Sequence, residues 1–131
     1  MAKYIYPAIF HTEEGGALSV AFPDLEGCIS QGDDLADAYA MAQDALCLTL
    51  YQMEEDGETI PKPSDIAALS PGKDAFASLV SCDTIEYRKY YENRSIKKTL
   101  TIPFWLNAMA EKAGINFSAV LQKALKNELQ L

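Results

Sequence analysis

The sequence lacks several features that would assign it to common classes. No apolar run approaches the roughly 18 residues of a membrane-spanning helix, so we expect no membrane association. Its three cysteines, Cys28, Cys47 and Cys82, form neither a disulfide framework nor a Cys-x-x-Cys pair, and we interpret them as reduced, mostly buried thiols. Its one histidine, His11, has no recognisable catalytic partners in the sequence. The opening residues do not resemble a secretory signal, so we expect a cytoplasmic protein.

The charge is distributed very unevenly along the 131 residues. A net charge of -8 argues at first against a nucleic-acid partner. However, residues 1–94 hold 17 acidic and 6 basic side chains, for -11, whereas residues 95–131 hold 2 acidic and 5 basic, for +3. Such an asymmetry is typical of a chain whose two parts meet different partners. We therefore predict two domains, residues 1–94 and 95–131.

The acidic part begins with strand patterns. Residues 4–12 and 17–22 are rich in aromatic and β-branched residues and flank Gly15-Gly16, which predicts a hairpin. Leu18, Val20 and Phe22 share one face of the second strand. Pro7 has no N–H group, so we expect its strand at a sheet edge or locally broken. A short third strand is predicted at residues 28–31.

A helix of about 20 residues follows from Asp34, capped by Asp33 or Asp34 and ended by Gly57. Its predicted apolar stripe has the three- and four-residue spacing of one helix face; it comprises Leu35, Ala38, Ala42, Ala45, Leu46, Thr49, Leu50 and Met53. Residues 58–64 read as a stiff extended connection, followed by a strand at 75–81 and a short helix at 84–91. The predicted order is βββαβα.

This arrangement resembles the HicB antitoxin family. The resemblance covers most of residues 3–80 and rests on the combined spacing of residues 22–28, Gly32, Asp37-Ala38, Ala42, Asp44-Ala45-Leu46 and 57–63. It implies a small, incomplete relative of the ribonuclease H fold. It also implies an antitoxin that covers HicA, a small basic RNA-cleaving toxin of double-stranded-RNA-binding fold. An acidic domain suits such a partner, because complementary charge speeds encounter.

The basic part reads as one strand and two helices. Residues 95–103 alternate, with Leu100 and Ile102 on one face. The first helix begins near Pro103 and ends at Gly114, and Asn116 is the predicted N-cap of the second. A lone strand leaves its backbone groups unpaired, and two short helices cannot bury their large apolar side chains. We therefore expect this part to fold as a dimer.

The strand-helix-helix order resembles the ribbon-helix-helix family of DNA-binding proteins, so the full prediction is an α+β fold: a βββαβα HicB-like domain followed by a dimeric ribbon-helix-helix. The expected assembly is a homodimer or a dimer of dimers. The predicted dimer core comprises Leu100, Ile102, Trp105, Leu106, Met109, Phe117, Val120 and Leu121.

A two-stranded ribbon fits the major groove of operator DNA, and strand alternation aims Lys97, Thr99 and Thr101 at base edges. Lys98 is predicted to contact phosphate or solvent. The start of the second helix, with Asn116 and Ser118, is predicted to hold a phosphate through backbone amides. Relatives often carry a longer polar side chain where this sequence has threonine. Recognition is therefore expected to depend on shape and methyl contacts, with modest affinity per dimer.

Three alternatives remain open on the sequence alone. A solitary ribbon-helix-helix regulator would bind DNA without a toxin partner. A nuclease would need converging carboxylates for two metal ions, for which Asp24, Asp33, Asp34 and Asp37 are the candidates, although turn and cap roles suit them better. Residues 86–94 mix aromatic and basic side chains, which favours an amphipathic connector over a base-stacking surface. We predict no catalytic residue, metal or cofactor.

Overall fold

The computed structural model describes residues 3–131 and divides into two compact units. The first unit runs to Arg94 and the second from Ser95 to Leu131. The sign of the net charge changes at the same boundary.

A four-stranded antiparallel sheet forms the centre of the first unit. Its strands are β1 (Lys3–Thr12), β2 (Leu18–Ala21), β3 (Ile29–Gly32) and β4 (Ala75–Asp83), in the spatial order β3-β2-β1-β4. The predicted hairpin is confirmed, with β1 and β2 joined by a 3-10 turn at Glu14–Gly16. With the two helices described below, the order along the chain is βββαβα, as predicted.

Pro7 was predicted on an edge strand or at a local break; β1 is not an edge strand, but its pairing with β2 does not reach Pro7. β1 lies inside the sheet between β2 and β4. However, β2 pairs only with residues 9–12 of β1, whereas β4 pairs with residues 3–11. Pro7 therefore lies where β1 has a strand neighbour on one side only, which is how an interior strand accommodates a residue without an N–H group.

The helix α1 (Leu35–Glu55) packs across one face of the sheet. Asp34 is its N-cap and accepts a hydrogen bond from the Asp37 amide at 2.8 Å, while the Asp37 carboxylate accepts one from the Asp33 amide at 2.8 Å. The predicted stripe is buried at Ala38, Ala42, Leu46 and Leu50. Leu35 is the exception, at 57% exposed.

Gly57 ends α1 in the left-handed conformation, with φ of 67°. The amide of Gly57 donates to Glu54 O at 3.2 Å and that of Glu58 to Met53 O at 2.9 Å, the two bonds of a Schellman motif. The core between α1 and the sheet consists of Tyr6, Ala8, Phe10, Leu18, Val20, Phe22, Leu25, Cys28, Ala38, Ala42, Leu46, Cys47, Leu50, Val80 and Cys82. Among residues 3–131, no helix is both long and apolar enough to cross a membrane.

The helix α2 (Thr84–Tyr91) completes the first unit. Asp83 caps it by accepting hydrogen bonds from the amides of Ile85 and Glu86, at 3.0 and 3.2 Å.

The second unit consists of α3 (Phe104–Lys112) and α4 (Phe117–Leu129) after a segment, residues 95–103, without regular secondary structure. Gly114, with φ of 70°, ends α3, and Asn116 caps α4 through a 3.1 Å bond from the Ala119 amide. Both boundaries agree with the sequence patterns. The strand predicted at residues 95–103 is not formed in the single chain, since no other segment of residues 3–131 pairs with it. The dimeric ribbon stays a prediction.

Candidate interaction surfaces

The outer side of α1 combines acidic and apolar side chains. No lysine or arginine occurs in residues 35–55. Along the exposed side, Asp37, Met41, Asp44 and Leu48 follow one another at three- and four-residue steps, and the two apolar members are about half exposed. This surface is suited to a partner that offers both positive charge and apolar contacts.

A cavity beside α1, which we call the turn groove, has a volume of about 620 Å³. One wall is α1, and the other is formed by the turn at residues 23–27 and the connection after α1. Asp24 fixes that wall, since its carboxylate accepts hydrogen bonds from the Ser64 amide, at 2.9 Å, and the Ser64 hydroxyl. The groove is lined by Asp24, Leu25, Glu26, Leu48, Thr49, Gln52, Met53, Glu58 and Pro61.

Of the further cavities that border α1, two are also acidic, whereas a third, beside Tyr51, is lined by both Glu92 and Arg94. One of the two acidic cavities, of about 590 Å³, includes Glu13, Asp33 and Asp37, and the other, of about 410 Å³, includes Asp44, Asp83 and Glu86. Within the described part of the chain, no basic side chain lines the turn groove or these two acidic cavities. The acidic composition of residues 1–94 is therefore expressed as negatively charged grooves around one helix.

Glu54 ties the end of α1 to both β1 and α2. Its side chain, 6% exposed, accepts hydrogen bonds from Tyr4 Oη at 2.7 Å and Thr84 Oγ1 at 3.0 Å, and pairs with Arg88 at 3.1 Å. Burial raises the pKa of Glu54, but these hydrogen bonds outweigh it, and the pKa lies below its ordinary value. Burial and the bond to Glu54 raise the pKa of Tyr4 to about 12.

Arg88 also pairs with Glu55 and lies 4.6 Å from the centre of the Tyr51 ring. Sequence reasoning missed this network, because no local pattern relates positions 4, 54 and 88. The network fixes α2 on the first unit.

The aromatic side chains of α2 pack against α1 and one another. The rings of Tyr51 and Tyr87 lie 5.5 Å apart, and those of Tyr87 and Tyr91 lie 4.5 Å apart. Tyr87 is thus held against α1, whereas Tyr90 and Tyr91 are 76% and 59% exposed. This packing favours the connector interpretation of residues 86–94.

Three of the four carboxylates considered for a nuclease have structural partners. Asp34 and Asp37 form the cap of α1, and Asp24 holds Ser64. Over residues 3–131, no group of three or more histidine, cysteine, aspartate or glutamate side chains is arranged to hold a metal ion. His11 lies exposed near the end of β1, opposite Ser19 and Ala75.

The second unit exposes almost all its large apolar side chains. No residue from 95 to 131 is buried, and Trp105 is 63% and Phe117 44% exposed. Seven of the eight predicted dimer-core residues are exposed, and the eighth, Leu121, is half-buried. Helices of 9 and 13 residues carrying such a surface are marginal alone in water.

The predicted DNA-binding residues occupy two places in the second unit. Lys97, Lys98, Thr99 and Thr101 all lie exposed in the segment before α3. Asn116 and Ser118 lie at the start of α4, where the Asn116 side chain accepts the Ala119 amide. The structure thus gives Asn116 a capping role, and the contacts of all six residues with DNA stay predictions.

The first unit defines an antiparallel α+β domain with acidic grooves, and the second a helical unit with unburied apolar and basic surfaces. Residues 6–125 match the model of a family described as the HicB-like antitoxin of bacterial toxin–antitoxin systems. The chain belongs to this family, which confirms the resemblance seen in the sequence.

Three known proteins illustrate the relationship. The chain is 38% identical over 61 residues to Antitoxin HicB 1 of Photorhabdus laumondii, an alignment that covers 47% of this chain and 39% of that protein. A chain of a toxin–antitoxin complex from Streptococcus pneumoniae superimposes with a TM-score of 0.62 at 34% identity, covering 96% of this chain and 99% of that one. The Burkholderia pseudomallei antitoxin HicB shares the fold, with a TM-score of 0.55 at 22% identity over 93% and 96% of the two chains.

Proposed function

We propose that the protein is the antitoxin of a HicA/HicB-type module with two separable activities. The first unit neutralises a small, basic, RNA-cleaving toxin by covering it. The second unit dimerises, binds operator DNA and represses the antitoxin's own operon. One observation carries the proposal. In a chain of this family, the first unit has acidic grooves, and the second has an exposed apolar surface that also bears lysines.

The turn groove is the proposed contact for the toxin. Leu48 and Met53 give it apolar surface, and Glu26 and Glu58 supply negative charge. A basic segment entering the groove would gain charge complementarity and apolar burial together, the combination that gives fast and specific association. Neutralisation by covering requires no catalytic step, metal or cofactor from the antitoxin. We propose that the antitoxin binds the toxin in the cytoplasm.

The exposed apolar surface of the second unit supports a dimer. Pairing residues 95–103 of two copies would satisfy their backbone groups, and interleaving four helices would bury Trp105 and Phe117. The paired ribbon then presents Lys97, Thr99 and Thr101 from both copies to the major groove. A dimer of dimers would add the affinity that threonine-rich contacts lack.

A solitary regulator is the second candidate. It retains the second unit's DNA binding and assigns the first unit to another partner or to assembly alone. The acidic grooves favour the toxin-binding version, because assembly alone does not require negative charge around α1.

Variants Lys97→Ala and Thr99→Ala separate the two activities. We expect each variant to abolish binding of the operator fragment in a gel-shift assay, because each removes a contact with the DNA major groove from both copies of the dimer. Inhibition of RNA cleavage by the toxin encoded beside this gene should persist. Lys126→Ala is the control, since it removes a lysine from α4 that is not placed at DNA.

Loss of both activities in Lys97→Ala, with the dimer intact, would contradict separable units. If both variants still bound the operator, the proposal that the ribbon contacts the DNA bases would be refuted. If no small basic protein co-purifies from the native host, the solitary regulator is favoured.

A further inference from the structure

Two cysteines face each other between α1 and β4. Tyr39 Oη donates to Leu79 O at 3.4 Å, and one helical turn later Gln43 Nε2 donates to Ser81 O at 2.9 Å. Four helical residues advance about 6 Å, nearly the advance of two strand residues. The same register places Cys47 at the level of residues 82 and 83.

Cys82 lies on the helix-facing side of β4, where it joins the same buried core as Cys47. The two thiols are neighbours in this core, and their interaction lowers the pKa of Cys47 below its ordinary value and raises that of Cys82 above it.

Cys47 is also the more accessible thiol of the pair. It lines the 410 Å³ cavity between α1, the end of β4 and α2, and is 8% exposed, against 3% for Cys82. A molecule as small as hydrogen peroxide fits this cavity. Cys28 differs, because burial raises the pKa of its thiol.

We propose that Cys47 and Cys82 are a reversible dithiol–disulfide pair that fastens α1 to β4 when a peroxide is present. The Cys47 thiol gives up its proton and the thiolate attacks one peroxide oxygen; the O–O bond breaks, and the departing hydroxide takes up that proton, so the products are Cys47 sulfenic acid and water. The Cys82 sulfur then attacks the Cys47 sulfur and loses its proton, and the second water leaves as the disulfide forms. Two thiols are oxidised and one peroxide is reduced, and a dithiol reductant reverses the change.

The cross-link closes the loop between positions 47 and 82, which includes the long connection after α1. Loop closure restricts the unfolded chain, so the oxidised first unit should resist heat better than the reduced one. The inference does not depend on a toxin or on DNA.

The test uses the full chain treated with hydrogen peroxide, alkylated in denaturant and digested with a protease that cleaves after acidic residues. Such cleavage separates Cys28 from Cys47, since Asp33, Asp34, Asp37 and Asp44 lie between them. We expect a peptide pair joined through Cys47 and Cys82, an intact mass lower by two hydrogen atoms, and a melting temperature several degrees higher. Dithiothreitol should reverse all three changes.

Cys28→Ala should form the cross-link like the natural chain, whereas Cys47→Ser and Cys82→Ser should not. Over-oxidation of Cys47 without a cross-link, a disulfide that includes Cys28, or no reaction in the folded chain would each overturn the proposal. These outcomes are read from the natural sequence, so they hold even where a serine variant folds poorly.

Discussion

Gly32 lies directly against the backbone of Ala38. A Cβ atom at position 32 would meet Ala38 N at 2.2 Å and Ala38 Cα at 2.4 Å, well inside van der Waals contact. The end of β3 and the first turn of α1 are thus in backbone contact. This contact sets where α1 begins over the sheet and therefore the position of the grooves beside it.

Gly32→Ala should destabilise the first unit strongly. The added methyl meets backbone rather than a flexible side chain, so relief requires α1 to shift. Overpacking of this kind costs about 1–3 kcal/mol, and backbone involvement places the expected loss at the upper end. Urea unfolding followed by far-UV circular dichroism measures it.

Gly57 provides the matched comparison, because its φ is 67° but nothing lies within 4 Å of a built Cβ. Asparagine tolerates the left-handed conformation, so Gly57→Asn should cost about 1 kcal/mol or less. Gly32→Asn, in contrast, should be at least as damaging as Gly32→Ala. Equal effects of asparagine at both positions would contradict the close approach.

The buried carboxylate of Glu54 should give the first unit an acid-sensitive component of stability. The pKa of Glu54 is lower in the folded chain than its ordinary value of about 4.3. Its contribution is therefore fully present above about pH 4.3 and is lost as the pH falls through the lowered folded value. Glu54→Gln should cost about 1–3 kcal/mol at neutral pH and flatten the fall in stability below pH 4.3.

Glu86→Gln is the control for this charge, since Glu86 is exposed and its ion-pair partner among residues 3–131 is the exposed Lys89, at 3.0 Å. An exposed pair of this type contributes at most about 1 kcal/mol. In thermal melts across a pH series, the fall in stability of the Glu86→Gln protein at acid pH should thus stay close to that of the natural chain. If the stability of the Glu54→Gln protein fell at acid pH as steeply as that of the natural chain, the network with Tyr4 and Arg88 would not stabilise the fold.

Local patterns predicted the elements of this fold well, and long-range relationships were not predictable from them. The ends of α1 and α3 could be predicted because Gly57 and Gly114 act through their own backbone conformation. Local patterns left open whether Pro7 lies on an edge strand or at a local break, because a strand's place in a sheet depends on how far its neighbours extend. The ribbon's pairing partner is absent from a single chain, so a pattern that predicts a strand there cannot form one alone.

The candidate sites divide in the same way. The charge counts alone indicated that residues 1–94 are acidic and suited to a basic partner. The turn groove was not foreseeable, because it exists only where the turn at residues 23–27 lies against α1. The Cys47–Cys82 pair likewise depends on the register between α1 and β4, which neither segment encodes by itself.

Charge reversal in the turn groove should slow association with the toxin. Glu26→Lys combined with Glu58→Lys changes the local charge by four units on exposed positions, so the fold should be retained. We expect the association rate constant, measured by surface plasmon resonance at low salt, to fall about tenfold or more, because electrostatic steering accelerates encounter. The difference should shrink at high salt as screening increases.

Glu14→Lys is the control for charge outside the groove: it changes the net charge by two units, half the change of the double variant, and Glu14 is exposed in the turn between β1 and β2 and does not line the groove. It should change the rate far less than the double variant. Equal slowing by the two proteins would indicate a general charge effect and reject the groove as the contact.

Phe117→Asp should prevent the second unit from assembling. If two copies bury Phe117 in a shared core, the aspartate places an unpaired charge there, at a cost of several kcal/mol. Light scattering should then report a monomer, and circular dichroism should show a loss of helix from α3 and α4. Gln122→Asp adds the same charge to the same helix off the apolar stripe and should leave the dimer intact.

Because folding of the second unit is coupled to association, its melting temperature in the natural chain should also rise with protein concentration, whereas that of the first unit should not. A Phe117→Asp protein that stays dimeric, or a second-unit melting temperature independent of concentration, would refute the shared core and the DNA-reading ribbon that depends on it.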